Sequence, residues 1–154
     1  MKKRSKKKRF VDIRQMDKSK EYEVFCPYCG AKARLVKARD IYGAKAVEPE
    51  EWMYACRNFK NGCDAYVTTH HGTTIPKGSL ANSELRNKRI KVHQKIDQVV
   101  RTKAGLGKSM VYDLLCDHFS LPLHQFHVGS SDLYYCTEAI RFLDEIITNQ
   151  KFTA

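Results

Sequence analysis

Cys26-Pro27-Tyr28-Cys29-Gly30 and Cys56-Arg57-Asn58-Phe59-Lys60-Asn61-Gly62-Cys63 decide the fold. A structural zinc takes four ligands tetrahedrally, with thiolate sulfurs at about 2.3 Å, and gathers them from two turns. In the first stretch Gly30 relieves backbone crowding where amides point at a thiolate. In the second, Asn61-Gly62 supplies a tight turn just before Cys63. Flanking segments 22–25, 33–37, 52–55 and 65–68 read as strands that enter and leave each turn, and the 26 residues between the pairs suffice for a hairpin excursion. This is a zinc-ribbon pattern, with Cys26, Cys29, Cys56 and Cys63 expected to hold Zn2+. His70 or His71, just beyond the second pair, is the rival fourth ligand.

Two cysteines stand apart. Cys116 lies beside the apolar positions Val111, Leu114, Leu115 and Phe119 of one helical pattern. Cys136 falls on the stripe Leu133, Ile140, Leu143 and Ile147 of another. Both are expected to pack as small hydrophobes. Neither has a context that would lower its pKa, so neither is expected to be catalytic.

The chain has 154 residues and a formal charge of +11. With 42% hydrophobic residues it can build a core, which excludes wholesale disorder, and its size excludes a large multidomain enzyme. No apolar run of about 18 residues and no secretory h-region is present, which points to the cytoplasm and to no membrane partner. The charge is unevenly placed. Residues 1–9 carry +7 through Lys2, Lys3, Arg4, Lys6, Lys7, Lys8 and Arg9. Residues 72–110 carry another +7, whereas residues 111–154 carry −4. Three regions follow: a basic flexible tail over 1–20, the ribbon over 21–75, and a helical region over 76–154 packed on the ribbon. The expected fold class is α+β, a small four-cysteine zinc-ribbon sheet followed by a basic helix and two shorter C-terminal helices.

That basic helix is expected from about Ser79 to Lys103, capped by Ser79, Asn82 or Ser83. Leu85, Val92, Ile96 and Val99 form its apolar stripe. Arg86, Lys88, Arg89, Lys91, Lys95, Arg101 and Lys103 cover the rest, with only Glu84 and Asp97 against them. Such a surface fits phosphate contact. Tyr28, Phe59 and Tyr66 near the knuckles would either stack on bases or pack about the zinc. Gly105-Leu106-Gly107-Lys108-Ser109 does not make a phosphate-binding loop, because the spacing requires a glycine where Thr102 stands and a strand where a helix precedes. Further helices are expected over about 109–119, capped by Ser109, and about 132–149, capped by Ser130 or Ser131. His93 and Asp97, four apart, share a helix face. With His70 or His71 and His127 they form a candidate second site.

As a set, several phrases resemble a zinc-finger-containing family found mainly in bacteriophages and prophages. They are Cys26-Pro27-Tyr28-Cys29-Gly30, Cys56 and Cys63 with Tyr66-Val67 and His70, Ile75 to Ala81, Glu84 to Arg89 with His93 and Asp97, Val111 to Leu115, and His127-Val128-Gly129 with Cys136. The resemblance implies a zinc finger and no particular biochemistry. Val99 and Val100 replace an expected aromatic pair, and the tail lies outside it. The leading expectation is a non-enzymatic zinc protein that binds DNA or RNA through the tail and basic helix. The alternatives are an inhibitor or adaptor of a host nucleic-acid or defence enzyme, and a metal-dependent nuclease using His93 and Asp97.

Overall fold

The computed structural model describes residues 13–149. Three strands, β1 (Ala33–Lys37), β2 (Trp52–Cys56) and β3 (Tyr66–Thr68), form one antiparallel sheet in the order β1-β2-β3. Register pairs Ala33 with Cys56 and Tyr54 with Val67. Alternation along the strands therefore sends Ala33, Leu35, Tyr54, Cys56 and Val67 to one face, where they meet Tyr22, Val24 and Leu80. Tyr54 is fully buried, yet its phenol is satisfied: it donates to the Thr74 carbonyl at 2.6 Å and accepts from the Tyr22 amide at 2.9 Å. A short helix α1 (Ala38–Tyr42) crosses between β1 and β2.

Three longer helices follow: α2 (Ser83–Thr102), α3 (Lys108–His118) and α4 (Leu133–Thr148). Leu85, Val92, Ile96 and Val99 on α2 are buried as their spacing requires, against Val111, Leu115 and Cys116 of α3 and Cys136, Ala139, Leu143 and Ile146 of α4. The α+β architecture of a cysteine-clustered three-stranded sheet followed by helices is the one expected, and both outlying cysteines pack in the helical core.

Several local expectations change. Segment 22–25 makes only a bridge, Phe25 to Lys32, rather than a full strand. Residues 76–81 are not helical. They run along the open edge of the sheet, with Tyr66 and Ala81 exchanging both backbone hydrogen bonds, because a chain containing Pro76 and Gly78 loses more by leaving the sheet edge than it gains by helix. The helix then starts at Ser83, with the Asn82 side chain accepting from the Leu85 amide at 3.0 Å. Gly107, not Ser109, precedes α3. Asp132 caps α4, because Ser130 belongs to a 3-10 turn and the Ser131 hydroxyl donates to the His127 carbonyl instead. The α4 stripe is rotated to Cys136, Ala139, Leu143 and Ile146, leaving Leu133 exposed. Within the expected tail, Lys18 and Lys20 are held by their carbonyls, which accept from the Thr74 amide and hydroxyl. Lys2, Lys3, Arg4, Lys6, Lys7, Lys8 and Arg9 lie outside the described residues.

The ribbon and the helices meet where two glycines cross. A Cβ on Gly78 would fall 1.8 Å from the Gly129 carbonyl oxygen, and one on Gly129 would fall 2.7 Å from the Lys77 oxygen. The Ser79 amide donates to that same Gly129 oxygen at 3.1 Å. Two of the phrases singled out in the sequence, 75–81 and 127–129, are thus one contact.

Candidate functional site

The first knuckle is closed by the Gly30 amide donating to the Cys26 carbonyl at 2.9 Å, with Gly30 at φ 73°, where a side chain would be strained. The second is closed by Phe59 donating to the Cys56 carbonyl at 2.9 Å. The two turns bring four thiols together. Cys26 and Cys63 sulfurs are 3.7 Å apart, those of Cys29 and Cys56 3.3 Å apart, and all four lie within 4.8 Å of one another. A tetrahedron of sulfurs with metal bonds of about 2.3 Å has edges of about 3.8 Å, so the donor set and its spacing fit zinc. The Asn58 amide and side chain donate to the Cys56 and Cys29 sulfurs, orienting them from outside the cluster. Burial pushes the Cys56 thiol up to about 12, whereas the Ala31 amide, then the Cys56 thiol, holds Cys29 down to about 7. Bound zinc would hold both as thiolates.

His70 and His71 do not enter this cluster. His71 faces the carboxylates of Glu48 and Glu51 at 3.4 and 3.5 Å on the outer surface. His70 turns into a different cavity, described below.

The basic helix is only partly a basic surface. Arg89 lies on the buried stripe and donates to the Ser79 carbonyl and hydroxyl and to the Ser131 carbonyl, at 2.7–3.2 Å. It is a strut between the ribbon edge and the turn that leads into α4, and its expected phosphate role is corrected accordingly. Its place on the stripe, four residues after Leu85 and three before Val92, was the signal that periodicity offered. Arg86 is laid on the Tyr66 ring at 3.8 Å and donates to the Asp64 and Ala81 carbonyls. Asp64, next to Cys63, also accepts from the Ser83 amide, so the second knuckle and the start of α2 are stapled together. Lys95 pairs with Asp144 at 2.6 Å, and Lys103 is buried with its ammonium on the Asn149 carbonyl. Lys91 is exposed and Lys88 half-buried. Of the knuckle aromatics, Phe59 and Tyr66 pack edge to face on each other, and the Tyr28 hydroxyl accepts from the Asn82 amide.

Beside α2 the junction opens into a groove. Its larger part is a cleft of about 910 Å³ whose lining includes His70, Lys77, His93, Tyr112 and His127. A smaller depression of about 300 Å³ continues it past Arg86, Ile90, Tyr66 and Tyr42, and the two share Lys77, His93, Val128 and Gly129. Three of the five residues of the candidate second site therefore meet around one cavity: His70, His93 and His127. His71 is elsewhere, and Asp97 lies outside the cleft lining, where its charge still reaches His93 and Tyr112. Burial, then Lys108 and Lys77, hold His93 below the ordinary imidazole range against the pull of Asp97. Burial and Lys77 do the same to His70. In the sequence Lys77 and Tyr112 fall only within the longer phrases Ile75 to Ala81 and Val111 to Leu115. Nothing local marks them as cleft residues, because the cavity is made by contacts far apart in sequence.

Among the described residues no helix is long and apolar enough to cross a membrane. No curated protein and no solved structure is detectably similar to the chain. A family profile described as a zinc-finger-containing domain matches residues 22–146, a span that opens just before the first knuckle and closes within α4. With its four-cysteine cluster and that match over most of its length, the chain belongs to this zinc-finger-containing domain family.

Proposed function

We propose that the protein is a zinc-stabilised, non-enzymatic nucleic-acid-binding protein whose junction groove seats a single strand while the basic tail tracks phosphates. The observation that carries this reading is the make-up of the groove. Lys77 from the ribbon edge lines it, Lys108 at the start of α3 bears on His93, and the Arg86 guanidinium lies on Tyr66 beside Tyr42. Lys77 and Lys108 offer cations to the backbone and the exposed Tyr42 ring offers a face to bases, the combination that sequence-tolerant single-strand binding uses, while Arg86 stays engaged on Tyr66. Lys88, Lys91 and the seven cations of residues 2–9 add charge outside the groove. The phage and prophage setting implied by the resemblance would make a bacterial cytoplasm the place of action.

The test is fluorescence anisotropy of the full chain with single-stranded DNA, single-stranded RNA and duplex DNA over a salt series. Affinity for single strands is expected to fall linearly in log–log form, by about 0.7 in slope for each phosphate neutralised. Absence of binding at about 50 mM salt defeats the reading.

A second reading has its own observation. Leu133, Tyr134 and Tyr135 are exposed at the start of the acidic α4, beside a depression lined by Pro27 and Tyr28. This patch supports a host-protein adaptor. Its signature is one host protein that co-purifies after nuclease treatment and is lost with Tyr134→Ser.

A further inference from the structure

The imidazoles of the cleft are the feature that strand binding does not use. Phosphodiesters are held well by lysine and arginine alone, and a neutral imidazole brings no charge to them. Here His70 and His93 face the same cavity from the end of β3 and from α2, and His127 faces it from the loop before α4. The cavity volume suits one nucleotide, and the shallower depression gives a following chain a way out along Tyr66.

We propose that the cleft is an end-binding pocket that takes the terminal phosphate monoester of a nucleic-acid strand, with Lys77 and Lys108 as its fixed charges and His93 taking up a proton when the phosphate enters. This rests on the groove reading above and gives that groove a polarity: chain end at His93, chain body toward Tyr66 and Arg86. A monoester carries up to two charges and three acceptor oxygens, one charge more than an internal phosphodiester. The extra charge has waiting partners. Lys77 lines the cleft and Lys108 is close enough to act on His93. Ser109, which follows Lys108 at the end of the failed phosphate-loop spacing, is in the lining of the same cavity.

The charge balance around His93 gives the direction of the proton. On its own helix Asp97 favours the imidazolium, while Lys108 of α3 and Lys77 of the ribbon edge oppose it. Tyr112, Asp113 and Cys116 of α3, His70 beyond β3, and His124 and His127 of the loop before α4 complete the titratable and charged lining. Burial and the two lysines together outweigh Asp97, so the neutral imidazole is favoured at His93. A phosphate dianion held in the cleft beside Lys77 and His93 reverses the sign of the local field and favours the charged imidazole.

The experiment is a proton NMR titration of the histidine ring signals in the full chain, with the His93 signal identified by its loss in His93→Gln. It is run alone, with an unphosphorylated tetranucleotide, with the 5′- and 3′-phosphorylated tetranucleotides, and with adenosine monophosphate. One phosphorylated end is expected to bind tighter than the unphosphorylated strand and to raise the His93 midpoint by about one unit, which by linkage means that the protonated form of His93 binds that end about tenfold tighter than the neutral form does. Lys77→Gln, at an exposed position, is expected to abolish that preference while the fold stays intact. Equal affinities for all three strands with an unmoved His93 midpoint overturn the end pocket and leave strand binding in the groove standing. Binding of the mononucleotide with a raised midpoint, but of no strand, supports the pocket and overturns the strand reading. No response to any ligand overturns both.

Discussion

The ribbon and the helical half are held together by different means. The ribbon's buried cluster is Cys26, Ala33, Tyr54, Cys56, Ala65, Val67 and Leu80, in which two members are thiols and two are alanines. The helical cluster has fourteen members, among them Leu85, Val92, Ile96, Val99, Val111, Leu115, Leu143 and Ile146. A small sheet with so little large apolar surface needs a staple, whereas three packed helices supply their own core. One half is therefore specified by four ligands and the other by a periodic surface. The groove exists because the two are joined, through Arg89, Asp64 and the Gly78–Gly129 crossing.

The largest expected effect comes from removing the staple. Structural zinc contributes an apparent ~10–16 kcal/mol in small domains. Cys56→Ser is expected to lose zinc by metal analysis and to melt the ribbon, while most of the helical circular dichroism persists to a second, higher transition. One shared transition would break the contrast drawn above and make the two halves a single cooperative unit.

Next is the helical core. Leu143 is fully buried among helices, and Leu143→Ala is expected to cost about 2–5 kcal/mol by urea denaturation, with zinc content unchanged. Loss of zinc in this variant would show that the metal site depends on the helices.

The joint should be weaker than either half. Arg89→Met removes hydrogen bonds from a charged donor to the Ser79 and Ser131 carbonyls, an expected ~1.5–3 kcal/mol. Hydrogen exchange should rise first over residues 76–81 and 127–131. Uniform exchange across the chain would contradict a localised joint.

The smallest effect is a pH dependence confined to the helical half. Arg141, then His118, holds Glu138 down to about 2, below its ordinary 4.5. His118 is also stacked on Phe142, so the pair ties α3 to α4. A depressed carboxyl contributes stability that is present above its ordinary value and is lost as the pH falls from there toward 2. Thermal melts of the second transition should show that loss, and Glu138→Gln should flatten it. An unchanged profile in the variant would remove Glu138 from the account.

How far the sequence could be read follows from the same contrast. Ligand spacing and apolar period are local, so Cys26, Cys29, Cys56 and Cys63 and the stripe of Leu85, Val92, Ile96 and Val99 were legible. The cap of α4 was misread because Ser130, Ser131 and Asp132 compete within three residues, and only the tertiary contact of Ser131 with the His127 carbonyl decides among them. Arg89 reads as surface only while its charge is weighed above its position on the stripe. The meeting of His70, His93 and His127 has no local signal, since it depends on residues 75–81 running along the sheet edge, where a helix is expected from Ser79. Charge totals mislead for a related reason: Arg86, Arg89, Lys95 and Lys103 are engaged within the fold and leave less free charge on α2 than composition implied.

The central claim, that the junction groove itself binds a strand, is tested most directly by comparing salt slopes. The full chain and its Lys77→Gln/Lys108→Gln variant would be titrated with the same labelled single strand between about 50 and 300 mM salt. The account predicts weaker binding by the variant at every salt and a log–log slope shallower by about 0.7 for each lysine removed. Identical affinities and slopes would assign all binding to the tail and contradict a strand in the groove.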